Sequence, residues 1–136
     1  KSTMNPVASA INCLIADDHE VVREGLRLAL SRAPHIRVVG EAVDGESAVA
    51  LAERRRPDLI VMDLRMGGID GVEATKRIRQ RDPRCRVIIF TGHAERNLLS
   101  RGREAGAAGY LLKEAAPAKA SGRLRRRSRR RDDGSA

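Results

Sequence analysis

Aromatic residues, cysteines and long apolar runs are scarce in this chain, and each shortage excludes a class of protein. Phe90 and Tyr110 are its only Phe, Tyr or Trp residues, so a surface that binds single-stranded nucleic acid by base stacking is not expected. Cys13 and Cys85 form neither a CxxC pair nor a metal-ligand spacing, and we expect reduced core thiols. No apolar run approaches the ~18 residues of a membrane span.

Positive charge is concentrated near the C-terminus. The net charge is +9, and residues 117–136 hold 8 Lys and Arg against 2 Asp, whereas residues 1–116 hold 19 basic against 16 acidic residues. The total charge therefore does not indicate a nucleic-acid-binding domain. We expect a flexible N-terminal extension over residues 1–10, one domain over residues 11–116, and an Arg-rich segment over residues 117–136, called the basic tail below.

Strand-like and helix-like segments alternate along the domain. Apolar runs predict five strands over residues 11–16, 36–42, 58–63, 85–91 and 107–113, and amphipathic spacing predicts four helices over residues 19–33, 44–55, 71–81 and 94–106. Asp44 is placed to cap the second helix. This alternation indicates βαβ units, and therefore an α/β fold whose parallel sheet carries helices on both faces.

Polar side chains follow four of the five predicted strands. Asp17 and Asp18 follow the first, and Asp63, Thr91 and Lys113 end the third, fourth and fifth. Because the carboxyl ends of parallel strands meet at one edge of a sheet, we expect these side chains to converge. Clustered carboxylates raise one another's pKa unless a cation lies among them, and oxygen ligands suit Mg²⁺. Taken alone, the Asp17–Asp18 pair is equally typical of a helix-capping loop.

Lys113 and Thr91 add a cation and a hydroxyl donor to this edge. Both would serve an anion with several oxygens, such as a phosphoryl group on Asp63, because carboxylates are nucleophiles that form aspartyl-phosphates. Mg²⁺ and the lysine would offset charge on the transferring group.

Four segments of text accompany these residues: ADDHEVVREGL, VVGEAVDGESA, DLIVMDLRM and GAAGYLLK. Together with the strand-end set they resemble the receiver domain of bacterial two-component response regulators, most closely the NarL/LuxR-type subfamily, over residues 11–116. The resemblance implies a flavodoxin-like, doubly wound five-stranded sheet of strand order 2-1-3-4-5. It also implies a cytoplasmic, phosphorylation-dependent regulatory domain that is not an enzyme and assists only its own phosphorylation and dephosphorylation.

The resemblance implies a role for each acidic residue. Asp63 would accept a phosphoryl group from a sensor histidine kinase. Asp18 and Asp63 would ligate Mg²⁺ directly, together with the backbone carbonyl of Arg65, and Asp17 would help to hold the ion through water.

The resemblance also implies a switch. Thr91 and Lys113 would contact the phosphoryl oxygens, and Tyr110 would move into the space that Thr91 leaves. Partner or dimer contacts would then change, and transcription would be regulated through an attached output domain that this chain lacks. His19, directly after the acidic pair, is interpreted as a helix-entry residue rather than a metal ligand or phosphorylated histidine.

Two features depart from the family pattern. Gly67 stands where the family usually has proline, so we predict that the loop over residues 65–69 is more mobile than is usual and that Mg²⁺ orders it. The second departure is the C-terminus, where a fifth amphipathic helix is expected but the basic tail offers only Leu124 as a large apolar residue. The fifth helix is therefore predicted to be incomplete or atypical.

The basic tail has three explanations. It is a nucleic-acid-binding arm that contacts phosphates, an aberrant end of frameshifted or vector origin, or an Arg-rich helix; the abrupt change in composition favours the aberrant end. A missing fifth helix would leave one sheet face partly uncovered, which predicts self-association, as a homodimer for example, or marginal stability.

Three other functions are alternatives to the receiver. Non-specific nucleic-acid binding through the tail is the main alternative. An aspartyl-phosphate phosphatase would want a second Asp where Arg65 stands, and a flavin-binding module would want a phosphate-cradling loop and aromatic residues.

Overall fold

The computed structural model describes residues 10–92 and 96–113. Within them, five strands alternate with four helices. The strands are β1 Ile11–Ala16, β2 Ile36–Ala42, β3 Leu59–Met62, β4 Arg86–Thr91 and β5 Gly109–Leu112; the helices are α1 Glu20–Ser31, α2 Gly45–Arg55, α3 Gly71–Arg81 and α4 Arg96–Glu104. Every predicted element that lies in these ranges is present, and most bounds agree within two residues. The N-terminal extension, Leu124 and the basic tail lie outside the described residues, as does the segment in which a fifth helix was expected.

All five strands are parallel and lie in the order β2-β1-β3-β4-β5. The predicted flavodoxin-like fold and strand order are therefore confirmed. Strand order reverses at β1, which lies between β2 and β3. Ligands of such sheets bind beyond the carboxyl ends of the strands near this reversal, which is where β1 and β3 deliver their acidic residues.

Two of the helices begin with a side-chain N-cap hydrogen bond, and α1 begins without one. Asp44 caps α2, as predicted, in a capping box in which its side chain accepts from the Ser47 backbone N–H at 2.7 Å and the Ser47 hydroxyl serves the Asp44 N–H. Asp70 caps α3 by accepting from the Glu73 N–H at 2.9 Å. The N-cap of α1 is His19, which makes no side-chain capping bond. Helices α2 and α3 therefore begin at fixed points beside the loop over residues 65–69.

The two faces of the sheet carry different cores. Alternate residues of β1, β3 and β4, such as Leu14, Ile60 and Ile89, pack against α2, α3 and α4 in the larger apolar cluster. Their neighbours Cys13, Val61 and Phe90 face α1, whose Val22, Leu26 and Leu30 are only partly buried. No helix in the described part of the chain is both long and apolar enough to cross a membrane.

Candidate functional site

Two buried carboxylates lie at the carboxyl edge of the sheet because the backbone ladder continues past the strand ends. The Asp17 N–H donates to the Ala42 carbonyl at 3.1 Å, and the Asp63 N–H donates to the Ala16 carbonyl at 2.9 Å. These bonds fix the backbone of Asp17 beside the end of β2 and the backbone of Asp63 beside the end of β1. Both residues are buried, with exposed fractions of 1% and 3%.

Lys113 joins the two buried carboxylates. It lies one residue beyond β5, rather than within the strand as predicted, and its Nζ is 2.6 Å from Asp17 Oδ2 and 3.2 Å from Asp63 Oδ2. The Lys113 side chain is mostly buried and its ammonium group also lies 6.0 Å from the centre of the Phe90 ring. The strand ends β1, β3 and β5 therefore converge as the sequence predicted.

Asp18 and His19 form the outer rim of the same cluster. The His19 Nδ1 atom lies 2.9 Å from Asp18 Oδ1 and 3.1 Å from Asp17 Oδ1, and the His19 N–H donates to Asp17 Oδ1 at 2.9 Å. His19 is indeed at the entry of α1, but its imidazole also contacts both acids, which the sequence analysis missed. The only signal for this contact was its position directly after the acidic pair.

Electrostatics at the site favour additional positive charge. Burial raises the pKa of Asp63, the negative charge of Asp17 raises it further, and Lys113 opposes both. Burial acts to lower the pKa of Lys113, but its contacts with Asp17 and Asp63 outweigh burial and leave that pKa above its usual value. Lys113 is therefore firmly charged, yet this one cation does not return the Asp63 carboxyl to its ordinary pKa.

The loop after Asp63 is held from two sides. Gly68 has a left-handed backbone (φ 73°), which favours glycine, and the next N–H, of Ile69, donates to Glu46 Oε2 at 3.3 Å. A Cβ atom added to Gly71 would lie 2.2 Å from the Asp63 carbonyl oxygen. Gly67 is exposed with open space beside it, and the predicted mobility of this loop stays a prediction.

The remaining predicted residues lie around this centre. Thr91 ends β4 and is buried, and the Arg65 N–H points at Asp63 Oδ1 from 3.4 Å. Tyr110 lies on β5 in register with Ile89, and Leu112 is in register with Thr91. Because side chains alternate along a strand, Thr91 and Tyr110 point to the same face, and Tyr110 is 45% exposed there.

The donor set fits a hard divalent cation. Ligand atoms of Asp17, Asp18, His19 and Asp63 all lie within 4.8 Å of one another, and carboxylate oxygens are the ligands that Mg²⁺ prefers. Three ionised carboxylates and one lysine leave two negative charges in excess, which a divalent ion would balance. The acidic cluster therefore has both the chemistry and the charge for such an ion.

A five-stranded parallel sheet of this order, with an acidic cluster and a lysine at its carboxyl edge, defines a flavodoxin-like α/β domain with a candidate cation site. Residues 13–125 match the family described as the response regulator receiver domain, and the chain belongs to that family. It is thus a receiver domain of two-component systems, a regulatory family rather than an enzyme family, and receivers generally bind Mg²⁺ in an acidic pocket.

Individual relatives agree with this assignment. The chain is 46% identical over 107 residues to the response regulator UvrY of Escherichia coli K12, covering 79% of this chain and 49% of UvrY. It is 42% identical over 119 residues to the transcriptional regulatory protein LiaR of Bacillus subtilis, covering 88% of this chain and 56% of LiaR. A crystal structure of a LuxR-family two-component response regulator from Aurantimonas superposes with a TM-score of 0.73 at 43% identity, covering 77% and 75% of the two chains.

The chain spans about half the length of the curated relatives it matches.

Proposed function

We propose that Asp63 accepts a phosphoryl group from a sensor histidine kinase and that this changes the contacts of the domain. The observation that carries the proposal is the placement of Asp63 Oδ2 3.2 Å from Lys113 Nζ, within the acidic cluster. A carboxylate held beside a fixed cation is a nucleophile whose product charge is already partly offset.

The transfer itself is an exchange of one bond for another. An Asp63 carboxylate oxygen attacks the phosphorus of a phosphohistidine, an oxygen–phosphorus bond forms, and the nitrogen–phosphorus bond breaks with its electron pair returning to the histidine ring. Lys113 pairs with the phosphoryl oxygens, and the Thr91 hydroxyl donates to one of them. The domain assists this transfer and the later hydrolysis without turning over any other substrate.

A divalent cation completes the charge balance. Asp17, Asp18, Asp63 and the backbone carbonyl of Arg65 would hold Mg²⁺, with Asp17 contributing through water. When bound, the ion offsets negative charge on the transferring group.

The readout depends on Thr91 and Tyr110. Phosphorylation adds up to about −2 charge at pH 7, which draws the Thr91 hydroxyl toward the phosphoryl group. Tyr110, on the same face and half exposed, then fills the space and changes the surface beside α4. The altered surface favours a dimer or another partner. In the whole protein, we propose, an output domain converts this change into transcriptional control in the cytoplasm. The relative LiaR is named a transcriptional regulatory protein.

Phosphorylation is tested with acetyl phosphate and Mg²⁺, followed by intact mass. We expect the mass of one phosphoryl group to be added, and we expect the addition to disappear in Asp63→Asn. Asp58→Asn is the matched control, because Asp58 is exposed and precedes the opposite end of the same strand. An unmodified wild-type chain under saturating donor, or an equal yield in Asp63→Asn, would contradict the proposal.

The domain limits are proposed as residues 11–116, with the basic tail as a separate segment.

Self-association is proposed as a consequence of an incomplete fifth helix, and sedimentation across a range of concentrations tests it. The tail's charge supports weak nucleic-acid binding as an alternative activity. Deletion of residues 121–136 should then lower nucleic-acid affinity and its salt dependence by the share that the tail supplies.

A further inference from the structure

Two segments of the domain, on either side of residues 56–70, differ in charge. Residues 10–55 hold 6 Lys and Arg against 8 Asp and Glu, whereas residues 71–106 hold 9 Lys and Arg against 4 Asp and Glu. The second range contains α3, β4 and α4. The basic surface is therefore built into the folded domain and is separate from the basic tail.

A groove of about 620 Å³ runs between α3 and α4, both of which belong to this range. Its lining includes three cationic residues, Lys76, Arg79 and Arg101, and two acidic ones, Glu73 and Glu104. Hereafter this is the α3–α4 groove. Its position is distinct from the acidic cluster, which lies at the carboxyl ends of β1 and β3.

The cations of the α3–α4 groove are less neutralised than its acids. Glu73 is engaged by Arg77, whose Nε lies 2.9 Å from Glu73 Oε2. In the described part of the chain, neither Lys76 nor Arg101 has a carboxylate within ion-pair distance, and both are exposed. Glu104 is then the groove's one acid, among the described residues, without an ion pair.

Arg79 gives the groove a fixed cation. Its Nη1 donates to the carbonyl of Cys85 at 2.8 Å and to that of Pro83, and its buried Nε has no hydrogen-bond partner among the described residues. Because backbone carbonyls rather than carboxylates hold the Arg79 guanidinium, no negative charge neutralises it at these contacts. Arg79 is thus positioned before any ligand arrives.

We propose that the α3–α4 groove binds the phosphate backbone of double-stranded DNA. Arginine and lysine neutralise phosphates without reading sequence, and this term supplies most non-specific DNA affinity. The scarcity of aromatic residues, one Phe and one Tyr in the whole chain, disfavours a single strand, whose bases would need stacking partners. DNA binding by this groove is an activity additional to the proposed phosphorylation, and it uses a surface other than the basic tail.

The test measures binding of a mixed-sequence DNA duplex to the full chain by fluorescence anisotropy at several salt concentrations. The variant Lys76→Gln/Arg101→Gln removes two groove cations, and Arg54→Gln/Arg55→Gln removes two cations from the exposed end of α2. Each phosphate contact contributes about 0.9 to the slope of log affinity against log salt. We expect the groove variant to lower this slope by about two and the control to leave it nearly unchanged.

Equal slopes for the two variants would show that only net charge or the basic tail matters, and would overturn the proposal. Glu104→Gln provides a gain-of-binding arm that unfolding cannot imitate, because removal of the negative charge should tighten DNA binding severalfold. An unchanged or weaker affinity in Glu104→Gln would count against the groove. Binding of an acidic peptide in place of the duplex would also overturn the DNA assignment.

Discussion

The two faces of the sheet are covered unequally. In the described residues, α2, α3 and α4 pack on one face and help to enclose fifteen buried apolar residues, whereas α1 packs alone on the other and encloses three. No residue of α1 is itself buried, and Leu111, which points to the same face as Phe90, is half exposed. Among the described residues, the face carrying α3 and α4 therefore supplies most of the buried apolar contact beside the acceptor site.

The largest expected effect tests this inequality with two neighbouring isoleucines of β4. Ile89 is buried in the larger cluster and Ile88 lies partly exposed on the α1 face. We expect Ile89→Ala to lower the free energy of unfolding by about 2–5 kcal/mol, since it removes buried apolar atoms and leaves a cavity. Ile88→Ala should cost about 1 kcal/mol, because less apolar surface returns to water. Urea denaturation measures both, and equal costs would erase the distinction between the faces.

A smaller effect is expected from strengthening the sheet face that α1 covers, called the thin face below. Gly25 lies inside α1, is exposed, and has no atom within 4 Å of the place where a Cβ would stand. Gly25→Ala should therefore raise the free energy of unfolding by about 0.5–1 kcal/mol, since alanine loses less backbone entropy in a helix than glycine.

Thermal unfolding of Gly25→Ala against the wild type measures this gain. Lys76→Ala is a control at an exposed helix position that already holds a good helix former, and it should change stability little. A destabilised Gly25→Ala would mean that α1 makes contacts at this position which the structure does not show.

The smallest effect concerns the two thiols, one on each face. Burial raises the pKa of Cys13 and of Cys85 to about 11, so little reactive thiolate exists in the folded protein near pH 8. Labelling must then wait for local opening. We expect Cys13, on the thin face, to react faster than Cys85, as measured by thiol labelling of Cys13→Ala and Cys85→Ala at pH 8.

Faster labelling of Cys85 would reverse the order of the two faces.

The raised pKa of the two thiols also predicts how the free energy of unfolding changes at alkaline pH. The thiol contribution is intact below the unfolded pKa near 9 and is lost as pH rises toward 11. Stability should thus fall over this range, less so in the Cys13→Ala variant.

Much of the fold was predictable because it depends on local pattern. Apolar runs and helical spacing identified all the described elements, and the strand-end rule brought Asp17, Asp63 and Lys113 together. The exact ends were less predictable: β3 is Leu59–Met62 rather than residues 58–63, and β5 stops at Leu112. Asp58 and Asp63 still donate backbone hydrogen bonds to the carbonyls of Asn12 and Ala16. Regular pairing therefore ends gradually, and a local pattern does not locate its last residue.

Contacts between distant segments were not predictable from the sequence alone. The bond from the Ile69 N–H to Glu46 joins residues 23 apart, and no local pattern marks such a pair. The imidazole of His19 was likewise placed only by the geometry of the acidic cluster. The α3–α4 groove needed both helices in position, because its cations are dispersed along the chain.

The close approach of Gly71 to the Asp63 carbonyl has a consequence for how such domains can be recombined. With no room for even a methyl group between them, the acceptor strand and the start of α3 have to be exchanged together. A chimera whose junction falls between residues 63 and 71 would combine two surfaces that were never fitted to each other. Inheritance of the acceptor therefore includes the helix that follows it.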